Sequence, residues 1–403
     1  MITQLAIENY KSIQALTLDV GRVNVLIGEN GCGKSNILEA ITFAAAAEAN
    51  KLDNEFLASR GIRVTEPKLM RSNFEKSYCE KEIKISLSAG IIENYTLKNN
   101  NKPYSKWLCN EKIEEIKRNE EILKFIELLD STGASDTEDD FDDSNIKEES
   151  RIFYKFKSEF GKFIIYSPEN TALRNLEKEA QIEPLGINGE GLLKLLSVIQ
   201  YESPEQLTDI QENLELFDWY DSLIIPNELS PLERKLTIQD RYLTTTFDQR
   251  SANEGFLFVL FYITLMVSNY TPKIFAIDNI DTSLNPKLCT KLIKVLSDLA
   301  KKYDKQFFVT SHNPAILDGI DLGDDEQRLF VVSRNKQGHT RCKRIELKDK
   351  PKSAVRERLE KLFEDDKTYT KAQILELFDN SPEDLKLSYA LLRGYLGGLP
   401  KNF

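Results

Sequence analysis

One stretch of this chain carries residue types at a spacing that chemistry can use directly. Gly28-Glu29-Asn30-Gly31-Cys32-Gly33-Lys34-Ser35 follows an apolar run, VNVLI, and opens a segment of helix formers, NILEAITFAAAAEA. Glycines let a backbone wrap closely enough for its N–H groups to point at phosphate oxygens. A helix starting there adds the positive end of its dipole. Lys34 then supplies a cation between β- and γ-phosphates, and Ser35 offers a hydroxyl to Mg2+. Asn30, Gly31, Gly33 and Asn36 complete the loop that would cradle the nucleotide. At average glycine usage of about 7%, such a string arises by chance in roughly one chain of this length in a hundred.

A phosphate loop of this kind needs a second acid on a neighbouring strand end to hold Mg2+. Asp278 closes the run KIFAIDN, preceded by four apolar residues, as a central buried strand requires. With Ser35 it forms the expected Mg2+ pair. The next residue is Asn279, and an amide cannot accept a proton as a general base does. It can still orient water through its carbonyl oxygen, so the pattern predicts slow hydrolysis, or ATP binding with little turnover. Asp281 lies close enough in sequence to act as a substitute acid. A third strand end, FFVTSHNP, places the His312 imidazole where it could approach a γ-phosphate.

The elements that must position these groups follow from periodicity. Residues 2–8, 23–27 and 82–88 read as strands, and Asn9-Tyr10-Lys11-Ser12 as a turn-like break. Residues 36–49 and 111–129 read as helices. The segment 188–245 reads as mostly helical, broken at Pro204, Pro226 and Pro231. Strand signals return at 273–277, 306–310 and 328–333, with helices over 255–268 and 286–302. This alternation predicts an α/β fold built on a largely parallel sheet. A helical tail follows Lys350.

Composition bounds the remaining possibilities. The 403 residues are 41% apolar, enough for a substantial core, and two to three domains or one enlarged domain are expected. The net charge is -11, which excludes a generally basic nucleic-acid coat. Residues 130–150 hold nine Asp/Glu and one Lys, a net of -8, so the rest of the chain carries -3. That segment reads as an acidic flexible linker, and a local basic groove elsewhere stays open. The five cysteines are widely spaced without a CxxC pair, and there are two histidines. A disulfide framework, a structural zinc site and a multi-histidine metal centre are therefore not expected. No apolar run reaches the roughly 18 residues of a membrane helix, and the N-terminus lacks a signal-peptide pattern. These features together predict a cytoplasmic protein without a membrane partner.

The order GENGCGKS, SANEG, IFAIDNIDTSLNP, VTSHNP resembles an ABC-type P-loop ATPase head of the SMC-like, RecF-like and OLD-like group. The likeness covers residues 1–50 and 245–335. It implies an ABC-ATPase head in two lobes, 1–129 and 251–350, joined through the linker 130–150 and a helical insertion over 151–250. The tail 351–403 would offer a docking surface. It also implies that Asn253 and Gly255 stand at the signature motif, which caps the γ-phosphate held by a partner subunit. Asn253 occupies the usual Ser position, with Ser251 two residues earlier. Residues 281–286 would form the D-loop, His312 the switch histidine, and Lys11 a basic residue approaching the nucleotide. The sequence does not place a Q-loop glutamine. In this family two ATPs glue two heads together head to tail.

The branches of the family differ in what surrounds the head. Residues 151–250 are too short and too often broken by proline for a long coiled-coil arm. After the hairpin-like RLFVVSRNKQGHTRCKRIEL, too little chain remains for a TOPRIM nuclease. The compact form resembles ATPase subunits of bacterial antiphage systems such as Septu, PARIS and retron-linked modules. There a homodimer or higher oligomer scaffolds a separate effector, often a nuclease. The alternative is a RecF-like ATPase that clamps duplex DNA, with Lys68, Arg71 and Lys76 as its candidate cations.

Overall fold

The computed structural model describes residues 1–102, 104–114, 155–175, 184–226, 235–349, 386–392 and 396. Most of the helix expected at 111–129, the acidic segment 130–150 and most of the tail 351–403 lie outside the described residues.

The strands are β1 (Gln4–Tyr10), β2 (Ile13–Asp19), β3 (Val23–Gly28), β4 (Ile83–Ser88), β5 (Ile92–Lys98), β6 (Leu108–Cys109), β7 (Ile165–Tyr166), β8 (Tyr220–Ile224), β9 (Thr237–Asp240), β10 (Phe247–Asp248), β11 (Ile274–Ile277), β12 (Gln306–Ser311), β13 (Gln327–Arg334) and β14 (Thr340–Ile345). The helices are α1 (Lys34–Glu48), α2 (Asn54–Ser59), α3 (Pro67–Met70), α4 (Asn170–Arg174), α5 (Leu192–Glu202), α6 (Pro204–Leu214), α7 (Glu254–Val267), α8 (Pro286–Lys302) and α9 (Leu387–Leu392).

A six-stranded sheet in the order β14-β13-β3-β12-β11-β7 forms the centre. Its strands from β13 to β7 run parallel, and β14 is antiparallel at one edge. Buried parallel strands must satisfy two apolar faces, and here successive residues alternate between them. Val25, Ile27, Phe307, Val309, Phe275 and Ile277 join one core with α5, α6, α7 and α8. Leu26, Phe308, Ala276 and Phe330 join a second core with α1 and the antiparallel sheet β2-β1-β4-β5-β6. Helix α1 is thus wedged between two sheets. Its run Ala44–Ala47 is buried, and small side chains allow that close approach. The fold is therefore the mixed α/β architecture expected, with the phosphate-loop strand β3 at its centre.

The segment 188–245 departs from the helical expectation. Helices α5 and α6 are present, but β8, β9 and β10 then form a three-stranded antiparallel sheet. These strands are too short to show a clear period of two. Packing decides them: Trp219, Tyr220 and Phe217 gather around Phe256 of α7, with centroid distances of 5.2, 5.7 and 5.5 Å. The insertion is mixed, not wholly helical. The break read at Asn9–Ser12 is a tight turn between β1 and β2, with Asn9 at φ 60 and Lys11 at φ 45. Among the described residues, no helix is long and apolar enough to cross a membrane.

Candidate functional site

The C-terminal ends of β3, β12 and β11 lie side by side, and the residues singled out for phosphate chemistry follow them. In the loop after β3, Gly31 and Gly33 take φ values of 75 and 109. A Cβ on Gly33 would stand 2.1 Å from Thr340 Oγ1 and 2.8 Å from Ser12 Oγ, so glycine is required there on two counts. At Gly31 nothing lies within 4 Å of an added Cβ, which leaves that side open. Gly33 is the N-cap of α1 and offers no side chain to its first amides. Those N–H groups and the helix dipole are what an anion needs.

Lys34 is 5% exposed, and its Nζ donates to the carbonyls of Gly28 at 2.8 Å and Glu29 at 3.0 Å. It also lies 3.3 Å from His312 Nδ1. Burial pushes the Lys34 ammonium below its ordinary pKa, with Asp278 and Asp281 opposing that shift. Ser35 Oγ donates to Asp278 at 2.9 and 3.1 Å. The hydroxyl and the carboxylate form a pair of hard oxygen donors, the chemistry Mg2+ prefers. Among the described residues there is no group of three or more His, Cys, Asp or Glu that could cage a metal. An ion held by Ser35 and Asp278 would therefore share its coordination with nucleotide oxygens and water.

Thr310, to which the sequence reading of VTSHNP gives no role of its own, organises this corner. Its hydroxyl donates to Asp278 Oδ1 and accepts the Asn279 N–H at 2.8 Å. Asn279 has φ 55, in the left-handed region that asparagine tolerates better than most residues. The Asp281 carboxylate accepts the His312 N–H at 3.3 Å. Lys34, His312 and Asp281 thus form one hydrogen-bonded set and Ser35, Asp278, Thr310 and Asn279 another, and the two adjoin where Lys34 and Ser35 follow each other in the chain.

A second cluster adjoins α1. Glu39 is 1% exposed and accepts from Tyr10 Oη at 3.2 Å, from Lys11 Nζ, and from Arg63 Nε at 2.6 Å. Arg63 Nη2 reaches Asn36 Oδ1 at 2.9 Å, and Asn36 Nδ2 reaches Ser12 Oγ at 2.6 Å. Lys11 and Asn36 are therefore linked through Glu39 and Arg63. A 420 Å3 cavity opens beside them, lined by Lys11, Ser12, Asn36, Arg63, Phe74 and Arg334 among others, with no carboxylate in its lining. Sequence reasoning missed Glu39 and Arg63. For Glu39 the signal was a carboxylate in the middle of an apolar helical run. Asn30 is exposed at the loop tip.

Asn253 and Gly255 belong to a different constellation. Asn253 Oδ1 caps α7 by accepting the Phe256 N–H at 2.8 Å. A Cβ on Gly255 would be 3.1 Å from the Ser283 carbonyl, so this loop packs on the segment 281–286. Ser251, Asn253 and Glu254 are exposed, as are Thr282 and Ser283. The strand beside β11 is β7, whose Tyr166 carbonyl accepts the Asp278 N–H at 2.8 Å. The turn after it is Ser167-Pro168-Glu169-Asn170, so the position beside the acid carries no glutamine. Arg71 is not a surface cation. It is 1% exposed, donates to the Lys81 and Asn99 carbonyls at 2.6 and 2.7 Å, and stacks on Trp107 at 4.9 Å.

This arrangement has likenesses among known proteins. The family model described as "AAA domain, putative AbiEii toxin, Type IV TA system" matches residues 23–318. The DNA replication and repair protein RecF of Staphylococcus epidermidis is 42% identical over 55 residues, 13% of this chain and 15% of that protein. The uncharacterized protein MJECL10 of Methanocaldococcus jannaschii is 31% identical over 111 residues, 26% of this chain and 50% of that protein. The chain thus spans half or less of the length of these curated relatives. The crystal structure of an Smc head bound to the C-winged helix domain of ScpA matches with a TM-score of 0.52 at 15% identity, over 86% of this chain and 98% of that one. At that identity the likeness is one of fold.

Proposed function

The chain belongs to this AAA-domain family and is a P-loop ATPase of the SMC/RecF type, and from that premise we propose that it works as an ATP-gated clamp. The group of two adjoining pairs, Lys34 with His312 and Ser35 with Asp278, at the strand ends carries this reading. The loop amides and Lys34 would hold the β- and γ-phosphates. Ser35 and Asp278 would hold Mg2+, which supplies charge neutralisation at the phosphates. The cavity beside Lys11 and Asn36 suits the nucleoside end.

The cap for the γ-phosphate is not part of that group. Asn253 is the exposed N-cap of α7 beside the D-loop, with Gly255 in the first turn behind it, so a second copy would supply this cap head to tail. Two ATPs would then lock a homodimer, or a higher assembly built from it, and ATP acts as a conformational clamp. Asn279 in place of a carboxylate slows hydrolysis and lengthens the locked state. In this reading the chain is the ATPase subunit of a bacterial antiphage complex, scaffolding a separate effector, in keeping with a family description that includes a Type IV TA system. The alternative, a RecF-like clamp on duplex DNA, loses Arg71 as a contact because that side chain is turned inward.

The test is ATP binding and phosphate release by the purified chain with Mg2+, with and without duplex DNA, beside Lys34→Ala. Tight binding with near-zero turnover is expected, and Lys34→Ala should abolish binding. Intact binding in that variant refutes the site. Robust turnover stimulated by DNA refutes the locked scaffold in favour of the DNA clamp.

A further inference from the structure

The loop leading into α7 is shaped by a cation from another element. Arg174, the last residue of α4, donates from Nη1 to the Gln249 carbonyl at 3.1 Å and to the Arg250 carbonyl, and from Nη2 to the Ala252 carbonyl at 2.7 Å. Its Nε donates to Asn170 Oδ1 at 2.7 Å, one turn back in the same helix. Asn170 Nδ2 donates to Glu254 Oε1 at 2.6 Å, and Ser283 Oγ donates to Glu254 Oε2 at 2.8 Å. Buried Gln249 closes the arrangement, accepting from the Leu236 N–H at 3.0 Å and donating to the Arg174 carbonyl at 3.4 Å.

An irregular loop has no ladder to fix its backbone, yet this one must present Asn253 in a defined place. A guanidinium is well suited to hold it, being a rigid planar fork of five donors, always charged, where a lysine is a single point. With three carbonyls drawn inward onto Arg174, the opposite edge of the loop, carrying Ser251, Asn253 and Glu254, faces solvent. Asn253 spends its oxygen on the Phe256 N–H, so its amide nitrogen is the group left to meet an anion. The positive end of α7 and the Arg174 charge behind the loop both favour that anion.

We propose that Arg174 is a positioning residue that holds the loop 249–255 in the shape that receives a triphosphate carried by a second copy of this chain. This inference rests on the head-to-tail reading above. The Arg174 bonds named above run to α4 and to the loop 249–252, not to the P-loop of its own chain. Its helix is nonetheless chained to that site, because only Ser167, Pro168 and Glu169 separate α4 from β7, whose Tyr166 carbonyl holds the Asp278 N–H.

The experiment compares the full chain with Arg174→Ala and Arg174→Lys by two readouts. One is titration of a fluorescent ATP analogue, and the other is sedimentation velocity with Mg2+ and a non-hydrolysable ATP analogue. Both variants should bind nucleotide within about twofold of wild type, while dimer formation weakens about tenfold or more. Arg174→Lys carries the comparison should Arg174→Ala fail to fold. A mixture of Arg174→Ala with Lys34→Ala should recover part of the dimer, since one of its two sites pairs an intact P-loop with an intact loop 249–255. Dimerisation at wild-type strength in both variants overturns the proposal, as does nucleotide affinity falling in step with dimerisation or a mixture that does not recover. A wild-type chain that binds nucleotide and stays monomeric overturns the head-to-tail reading itself, and this proposal with it.

Discussion

Replacing Asn279 by glutamate sets a backbone cost against a chemical gain, and the two have different sizes. Asn279 sits at φ 55, directly after the acid Asp278, with its N–H fixed by Thr310 at 2.8 Å. Asparagine visits the left-handed region because its short polar side chain bonds locally, whereas most residues pay roughly 1–2 kcal/mol there. Asn279→Glu should therefore lose about 1 kcal/mol of stability, a fall of only about 1 °C in the melting temperature of a chain this long. A positioned general base contributes roughly 100- to 10,000-fold in rate, or about 3–5 kcal/mol of barrier. The gain exceeds the cost, so the glutamate variant should melt lower and hydrolyse ATP at least about tenfold faster. Asn279→Asp keeps the left-handed tolerance but is one methylene shorter, so it should melt with wild type and gain less. The assay is phosphate release at saturating ATP and Mg2+, with nucleotide affinity and thermal melting measured on the same preparations. Unchanged turnover in both variants at full ATP occupancy would show that the attacking water is organised elsewhere. A glutamate variant that melts with wild type would show that the backbone argument fails.

Gly33→Ala should cost about 2–4 kcal/mol and abolish ATP binding, because a Cβ there meets Thr340 Oγ1 at 2.1 Å at φ 109; denaturant unfolding and nucleotide titration check both. Lys305→Met should cost about 2–3 kcal/mol in the same unfolding assay. The buried Lys305 ammonium donates to the Leu265 and Ser268 carbonyls at 2.8 and 2.6 Å and to Thr271, so its loss orphans acceptors at the end of α7. Asp324 governs part of the acid limb of stability. Burial pulls its carboxyl up, but Lys301 at 2.7 Å and the Glu326 N–H outweigh that and hold it at about 2. A depressed carboxyl contributes stability above its unfolded pKa near 4 and loses it as pH falls toward 2. Asp324→Asn should flatten the melting-temperature profile across that window, and an unchanged slope would count against the pairing.

What the sequence made legible, and what it hid, divide along the range of the interactions. The phosphate loop was readable because its information is local: glycines with φ of 75 and 109 can be recognised wherever a strand hands over to a helix. The parallel sheet was readable because β3, β11 and β12 are buried on both faces, so each is mostly apolar without an alternating polar face. The strands of the insertion were not, since β8 opens in an aromatic cluster completed by Phe256, far along the chain, and β9 and β10 are held by pairing onto it. The same limit applies to Thr310, Glu39 and Arg174. Each is an ordinary residue type whose role lies in what it touches: Thr310 in Asp278, Glu39 in Lys11 and Arg63, Arg174 in carbonyls 75 to 78 positions away. A motif reports the atoms that meet the ligand. The atoms that hold them still are distributed along the chain, and only the fold collects them.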